Sequence, residues 1–416
     1  MGSRCKSSLL MLLLLLVATT VDSWVSLSID NPAFSSSTKL LRKSVLRSPA
    51  FELAPGEVSN KFYRIDFPKG HLSVRGFNAE IVDEAGVSVP LSEVYMHHWT
   101  VFNKNVKSGD KENKFQNEAE FRERNALHPS VGGNSVCHHG DLRNFWGLGS
   151  ETRHTNTSIP PPYAMVVGDP GQIPHGFEEV WELNLHAIDT RGVEDRLGCT
   201  ECRCSLYNVT ADEHDQALPE GYLGGLRCCY DGRRCRLKYG FEDVPRTRYL
   251  QYTIHWVEWD EHVIPVKSYI FDVTNTGSGC KVEYNVPACD LSTKTSLTEC
   301  VDARETTASL PDSGELIYVV GHQHAGGQGA SLYGKNGQEI CKSLPRYGLG
   351  SEAGDEAGYV VGMSACYPEP RKMKLHSQDI LRLQSNYSSS REHTGVMGIF
   401  YLLVAPDRYD PLSITR

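Results

Sequence analysis

The sequence predicts an all-β protein of the sandwich or barrel type, and three observations lead to that class. Turn-forming residues are frequent throughout the 416 residues, with 37 glycines and 21 prolines. Between them lie short runs rich in β-branched and aromatic residues. Helical spacing is weak and confined to a charged stretch at residues 111–125. With 40% hydrophobic and 22% charged residues, the composition is that of a globular chain.

The N-terminal 23 residues predict a secretory signal peptide. Arg4 and Lys6 precede the apolar stretch Leu9–Val17, and small residues follow as far as Ser23. The apolar stretch is shorter than the roughly 18 residues that cross a bilayer, and no other run of that length exists. We therefore expect an exported, extracellular protein with no membrane span once the signal is removed.

Cysteine usage and glycosylation acceptors agree with export. Twelve of the 13 cysteines follow residue 23, and an even number in an exported chain favours disulfide bonds over free thiols. Acceptor triplets for N-linked glycans begin at Asn156, Asn208 and Asn386. The 42 basic and 51 acidic residues give a net charge of −9, which argues against a nucleic-acid partner.

Alternating runs predict the individual strands. In residues 180–188, Leu183 and Leu185 fall on one face and Asn184 and His186 on the other. Further strand-like runs occupy residues 249–259, 267–273, 315–320 and 397–404.

A cysteine-rich segment interrupts this pattern near the end of the first predicted domain. Its first half resembles a zinc knuckle, but the second half lacks the matching spacing, so a disulfide-stapled insertion is favoured over zinc. The pairing of the cysteines cannot be deduced from the spacing. We predict a signal peptide at 1–23, an N-terminal β-sandwich at 24–244 with the insertion at 199–235, and a C-terminal β-sandwich at 245–410. The six cysteines are Cys199, Cys202, Cys204, Cys228, Cys229 and Cys235.

Histidines are the chemistry-bearing residues that remain, because phosphate-binding loops, HExxH, EF-hand loops and GxSxG are absent from the sequence. His322 and His324 end the run IYVVG, and residues i and i+2 of a strand share a face. Both imidazoles could reach one ion, or both could face solvent at a strand end.

Two further candidates depend on local geometry. His97 and His98 are neighbours in a strand, so joint ligation requires a bulge, a twist or a strand end; otherwise one packs against Trp99. His186 lies on a polar strand face and is a candidate third ligand. Met397 is either core filler or, beside two imidazoles, a soft ligand suited to Cu(I).

A zinc hydrolase is a weaker alternative. Cys137, His138 and His139 are consecutive, and Asp141 follows closely. Adjacent ligands rarely complete a tetrahedral site without a distant partner. The motif VCHHGD is equally compatible with a disulfide-tied loop.

Several segments together resemble one family. YMHHWTVFN, GLGSETR, HAIDTRG, CTECRC, VEWD and GHQHAGGQGASLYG are similar to the stress up-regulated Nod-nineteen (SURNod) family of plant secreted proteins, over nearly the whole mature chain. This resemblance implies a stress-related role and a location in the apoplast or cell wall of a plant, but it carries no assigned biochemistry.

The order of the histidines also resembles the copper type II, ascorbate-dependent monooxygenases such as peptidylglycine α-hydroxylating monooxygenase. That resemblance implies two tandem jelly-roll β-sandwiches, two copper ions and ascorbate as reductant. By position, His97, His98 and His186 would bind the copper that relays electrons. His322, His324 and Met397 would bind the copper that activates dioxygen, and Tyr401 would hold the substrate.

Departures from the copper family weaken part of this expectation. Val320 stands where the peptide enzyme has a carboxylate-binding arginine, and Ile399 stands where it has an asparagine. Peptide amidation is therefore disfavoured, and a small substrate with an apolar end is expected. His255 competes with His186 as third ligand.

Two functions remain open at this point. One is a secreted copper monooxygenase; the other is a non-enzymatic extracellular protein that binds a glycan, a small molecule, a partner or a metal. The substrate, the oligomeric state and catalytic activity itself are not determined by the sequence.

Overall fold

A computed structural model describes residues 40–109, 144–276, 279–290, 299–369, 372–377 and 379–407, together with residues 292 and 296. The strands of the first part are β1 (Arg42–Arg47), β2 (Phe51–Leu53), β3 (Val58–Ile65), β4 (Leu72–Val82), β5 (Val94–Lys107), β6 (Phe145–Leu148), β7 (Tyr163–Val167), β8 (Phe177–Asp189), β9 (Arg246–Glu258) and β10 (Ile264–Pro265). Those of the second part are β11 (Lys267–Asp272), β12 (Glu283–Val286), β13 (Val301–Ala308), β14 (Gly314–Gln323), β15 (Gly327–Tyr333), β16 (Glu339–Ser343), β17 (Pro345–Tyr347), β18 (Val360–Met363), β19 (Lys374–Leu375), β20 (Leu381–Ser388) and β21 (His393–Pro406).

Helices are few and short among the described residues. They are the 3-10 helices Ser150–His154 and Pro170–Gln172 and the α-helices Arg196–Thr200 and Cys204–Tyr207. The prediction of an all-β protein is thereby confirmed, and the described chain contains no helix long and apolar enough to cross a membrane.

The strands of the first part pair in jelly-roll order. One sheet runs β1-β9-β4-β7 with β10 at its edge, and the other runs β3-β8-β5-β6. If β1 and β3 to β9 are counted from one to eight along the chain, the two sheets have the orders 1-8-3-6 and 2-7-4-5. This interleaving of first and last strands is the double Greek key of a jelly roll.

The second part repeats the same order. Its sheets run β11-β21-β14-β19 and β13-β20-β15-β16, with β12 added beside β21. Counting these eight main strands along the chain again gives 1-8-3-6 and 2-7-4-5, and β17 and β18 form a separate hairpin. Two tandem jelly-roll sandwiches, which the resemblance to the copper enzymes implied, are therefore present.

Each sandwich buries its own apolar layer between its two sheets. Leu183 of β8 packs with Tyr252 of β9 in the first core, and Leu383 of β20 packs with Phe400 of β21 in the second. The alternation predicted for β8 is visible in its burial, because Leu183 and Leu185 lie in the core whereas Asn184 between them is half-buried.

The two sandwiches also touch each other, through the outer face of one sheet from each. A third apolar cluster joins Phe62 of β3 and Phe102 of β5 to Met397 and Ile399 of β21. Since these side chains point away from the cores of their own sheets, the contact forms a second buried layer. On the polar face of β8, His186 is therefore buried inside the molecule, whereas Glu182 and Asn184 are half-buried.

The cysteine-rich segment is held by three disulfides, as its composition predicted. They join Cys199 to Cys235, Cys202 to Cys229 and Cys204 to Cys228. Two more bonds in the described chain join Cys289 to Cys300 and Cys341 to Cys366. Five disulfides are consistent with an exported protein.

The proposed domain division stays a prediction. The predicted C-terminal domain begins at residue 245, yet β9, which starts at Arg246, pairs along its whole length with β1, β2 and β4 of the first sandwich. The signal peptide predicted at residues 1–23 lies outside the described residues.

Candidate metal centre

A bulge in β5 brings the two adjacent histidines to the same side. Met96 pairs with Ala187 and His98 pairs with His186, so His97 and His98 together oppose one residue of β8. An extra residue in one strand re-aims its side chain and breaks the usual alternation. This is the local irregularity that joint ligation by two neighbouring histidines requires.

Three histidines form a compact group at this bulge. One ring nitrogen from each of His97, His98 and His186 lies within 4.8 Å of the other two. The ring centres are 4.6 Å apart for His97 and His186 and 5.2 Å apart for His98 and His186. Three nitrogens at this separation can bind a single transition-metal ion after small side-chain movements.

The second pair of histidines lies against the first group. His322 and His324 have ring centres 5.3 Å apart, and that of His324 is 4.7 Å from that of His97. The five imidazoles, which we call the histidine cluster, therefore run without a break from the outer face of the first sandwich to that of the second. The two predicted ligand sets are neighbours.

Buried ring nitrogens in the cluster make no hydrogen bonds of normal geometry with the described residues. These atoms are Nδ1 and Nε2 of His186, Nδ1 and Nε2 of His324, and Nδ1 of His97. An unsatisfied buried polar atom costs about 1–3 kcal/mol. A metal ion would satisfy several of these lone pairs at once, so the donor set fits a metal.

Burial keeps the same histidines neutral. Desolvation holds the pKa of His97, His186 and His324 well below its usual value, and each is lowered further by neighbouring histidines. The nearby backbone of Cys229 acts in the other direction on the pKa of His186, and that of Gly395 does the same for His324. Neutral imidazole is the form that binds metals.

The half-buried His98 is oriented by an amide. Its Nε2 lies 2.8 Å from Oδ1 of Asn184, whose NH₂ group donates to Oδ1 of Asn60 at 3.0 Å. Since Oδ1 of Asn184 can only accept, Nε2 of His98 carries the proton and Nδ1 carries the lone pair.

A buried carboxylate orients His322. Glu151, in the 3-10 helix after β6, has no exposed surface, and its Oε1 lies 2.6 Å from Nδ1 of His322. Its other oxygen has no hydrogen-bond partner among the described residues. A carboxylate behind a ligating histidine fixes the ring and raises its basicity. No sequence motif pointed to Glu151, because 171 residues separate it from His322.

Met397 lies on the same face of the sheet as the second histidine pair. His322 pairs with Ile399 and Gln323 with Gly398, and the Tyr387 hydroxyl bridges the backbone N–H of His324 and the carbonyl of Met397. The Met397 side chain is buried in the apolar cluster with Phe62, Phe102 and Ile399. Its role as a ligand stays a prediction.

Tyr401 lies beside an apolar pocket. It pairs with Val320 of β14, and both line a pocket between the sandwiches whose walls include Phe145, Trp146 and Tyr318. Burial, and then the charge of Glu151, raises the pKa of the Tyr401 hydroxyl, which therefore stays protonated. Val320 precedes His322 by two residues on the same strand face, so the pocket adjoins the cluster.

The competing histidine candidates lie elsewhere. His255, on β9, pairs with Lys43 and Gly76 in the other sheet of the first sandwich and does not join the histidine group among the described residues. Cys137, His138, His139 and Asp141 lie outside the described residues.

The cysteine-rich segment forms part of the wall of the site, which its composition did not reveal. The Cys202–Cys229 disulfide lies against His186, and Glu201 Oε1 lies 2.6 Å from Nδ1 of the buried His393. His393 in turn packs on Gly326 of the GHQHAGG turn, where an added Cβ would lie 2.3 Å from the imidazole. The segment thus contacts His186 directly and reaches the GHQHAGG turn through His393.

The fold and site define a double jelly-roll protein with a histidine cluster between its sandwiches. Residues 39–407 match the family Stress up-regulated Nod 19 (SURNod19), and the chain belongs to this family. The family name indicates a stress-related protein.

Other comparisons add little. No curated protein matches the sequence. The infectious bursal disease virus VP2 subviral particle is similar over 90% of this chain and 73% of its own, with 7% identity and a TM-score of 0.19. The mavirus major capsid protein is similar over 99% of both chains, with 10% identity and a TM-score of 0.21. Likenesses this distant carry no argument.

Proposed function

We propose that this stress-related protein binds copper through His97, His98 and His186, and that the bound metal serves an oxidative reaction on a small apolar substrate. The observation that carries the proposal is the convergence of three ring nitrogens within 4.8 Å. They come from a β-bulge and the opposite strand. Such a bulge is unfavourable in a regular sheet and is typical of functional sites.

The donor set favours copper over other ions. Two of the three ligands, His97 and His186, are 1% and 0% exposed, and burial keeps both imidazoles neutral. Transferring an ion from water to a buried site costs free energy that rises steeply with charge, so a monovalent ion is admitted more readily. Cu(I) is monovalent, and copper leads the divalent first-row series for nitrogen ligands.

A second copper is proposed at His322 and His324, with Met397 as third ligand. Its support is the shared strand face and the Glu151 carboxylate behind His322. Copper supplies one-electron redox chemistry and dioxygen activation when bound. The chain would hold and orient the imidazoles and exclude water with the apolar layer around Met397.

The adjoining pocket supports an apolar substrate. Phe145, Trp146 and Val320 line it, and Val320 offers no charge to a substrate carboxylate. Tyr401, protonated as described, would donate a hydrogen bond to a substrate oxygen. Ascorbate would serve as the external reductant.

Copper binding is tested directly by titrating the purified exported protein with Cu(I) in the presence of a competing chelator. We expect tight binding in the wild type and a loss of roughly 100-fold or more in affinity for His186→Ala, because a ligand is removed. His255→Ala is the matched control, since this histidine also lies on a strand but in another sheet, and it should bind like the wild type.

Two outcomes would contradict the proposal. One is copper binding below half an equivalent in wild-type protein; the other is an equal loss in His186→Ala and His255→Ala. Turnover is tested separately by ascorbate-dependent oxygen uptake, which His322→Ala should abolish. Tight copper binding without oxygen uptake would identify a non-enzymatic metal-binding protein.

A further inference from the structure

A disulfide bond forms one wall of the histidine cluster. One ring nitrogen of His186 and the sulfurs of Cys202 and Cys229 all lie within 4.8 Å of one another. All three residues have no exposed surface. The contact is specific within the described chain, because neither the Cys199–Cys235 nor the Cys204–Cys228 bond shares such a group with a histidine.

The position of the two cysteines is fixed by the segment that carries them. The backbone N–H of Cys202 donates to the carbonyl of Cys199, and the carbonyl of Cys202 accepts from the N–H of Gly225. Glu201, the preceding residue, is bonded to the buried His393 of β21. The turn that carries Cys202 is thus held to the second sandwich through Glu201, while the sulfur atoms lie against His186 of the first.

The ligand strength of these sulfurs depends on their oxidation state. A disulfide sulfur is uncharged and a poor metal ligand, whereas a thiolate is a strong, soft one. Reduction breaks the S–S bond by adding two electrons and two protons. A thiol reductant supplies both and becomes a disulfide, whereas a phosphine supplies the electrons, water supplies the protons, and the phosphine becomes its oxide. Each resulting thiol then releases its proton when its sulfur binds a metal.

We propose that Cys202 and Cys229, once reduced, form with His186 an alternative metal-ligand set of two sulfurs and one nitrogen. While the disulfide is intact, the two sulfurs cannot act as thiolate ligands. Because His186 belongs to both sets, the proposal rests on the same histidine as the proposed function. A set of two sulfurs and one nitrogen suits Cu(I) or Zn²⁺. Reduction of the disulfide would therefore let His186 bind a metal together with two thiolates instead of with His97 and His98.

A single substitution tests this without reductant. Cys202→Ser leaves the thiol of Cys229 beside His186, and Cys199→Ser is the matched control, because it leaves the equally buried Cys235 without a histidine neighbour. Each variant is loaded with Co²⁺ as a spectroscopic probe, after circular dichroism and thiol titration have shown a native fold with one free thiol. We expect thiolate-to-cobalt charge-transfer absorption in Cys202→Ser alone.

Two further variants complete the test. Adding His186→Ala to Cys202→Ser should weaken Co²⁺ binding roughly tenfold or more. Wild-type protein reduced with a phosphine and desalted should show the absorption, and Cys202→Ser/Cys229→Ser treated alike should not. Absence of the band in folded Cys202→Ser, or an equal band in Cys199→Ser, would overturn the proposal.

The two proposals fail independently. Copper binding to the oxidised protein with no thiolate band in Cys202→Ser removes the thiolate set and leaves the three-histidine site. A thiolate band in Cys202→Ser together with no copper binding to the oxidised protein removes the proposed function and leaves the thiolate set.

Discussion

At the scale of single residues, the site depends on buried groups that lack ordinary partners. One carboxylate oxygen of Glu151 is hydrogen-bonded to His322, and the other has no hydrogen-bond partner among the described residues. His186 and His324 are buried, and neither ring nitrogen of either residue makes a hydrogen bond of normal geometry with the described residues. Such atoms are costly in a folded protein unless a ligand satisfies them.

Glu151→Gln should weaken metal binding at His322 and His324 roughly 10–100-fold and leave the three-histidine set unchanged, because the amide orients His322 without the carboxylate charge. Isothermal titration with Cu(I) would resolve the two sets. Glu201→Gln is the control, since Glu201 is also buried and bonded to a histidine, but to His393. An equal effect of both variants would contradict a specific role for Glu151.

Acid should destabilise the metal-free protein through its buried histidines. The pKa of His97, His186 and His324 lies below the unfolded value in the native state. The unfolded chain therefore takes up protons below about pH 6.5 that the native state does not, and the contribution to stability, present above that pH, is lost as the pH falls. A histidine that stays neutral in the native state down to pH 5 removes about 2 kcal/mol between pH 7 and 5.

Urea unfolding at pH 7 and pH 5 measures this loss in wild type and in His324→Asn. The variant should lose about 2 kcal/mol less over that interval. Identical pH dependence in the two proteins would contradict a neutral, buried His324.

At the scale of the element, the bulge in β5 decides whether two adjacent histidines can act together. Deleting His97 would leave Met96 opposite Ala187 and His98 opposite His186 in regular pairing. We expect this deletion to keep the strand and to abolish copper binding. Circular dichroism and copper titration are the measurements, and retained copper affinity in the deletion variant would show that the bulge is not needed.

Features of a single strand could be predicted from the sequence, because they depend on the order of neighbouring residues. Alternation placed His186 on the face of β8 opposite to Leu183 and Leu185, and the need for a bulge at His97 followed from the two-residue period of a strand. Glu151 and the Cys202–Cys229 disulfide could not be predicted, because their contacts with His322 and His186 join segments that are distant in sequence. The sequence pattern carries no signal for such pairings.

At the scale of the whole molecule, two jelly rolls place the site where their outer sheet faces meet. That contact is also polar at its edge. The Arg153 side chain, which follows β6, lies 3.1 Å from Glu356 and 3.3 Å from Glu80, and it donates to the carbonyl of Val89 at 2.7 Å. Glu356 also accepts the N–H of Leu91, so one ion pair joins the second sandwich to the first.

Arg153→Met should destabilise the protein by about 3–5 kcal/mol, because it leaves the buried Glu356 without its charged partner. Arg42→Met is the control, since Arg42 and Glu258 form an exposed pair and such pairs contribute about 0–1 kcal/mol. Urea unfolding of both variants provides the comparison. A loss below 1 kcal/mol for Arg153→Met would contradict a structural role for this pair.

The central claim is that imidazoles from two strands of the first sandwich gather one copper ion. X-ray absorption spectroscopy of the copper-loaded, oxidised protein tests it most directly. The expected spectrum shows two to three imidazole nitrogens around copper, and the imidazole scattering falls in His97→Ala and His186→Ala but not in His255→Ala. A spectrum dominated by non-imidazole oxygen and nitrogen ligands, or one unchanged by His186→Ala, would contradict it.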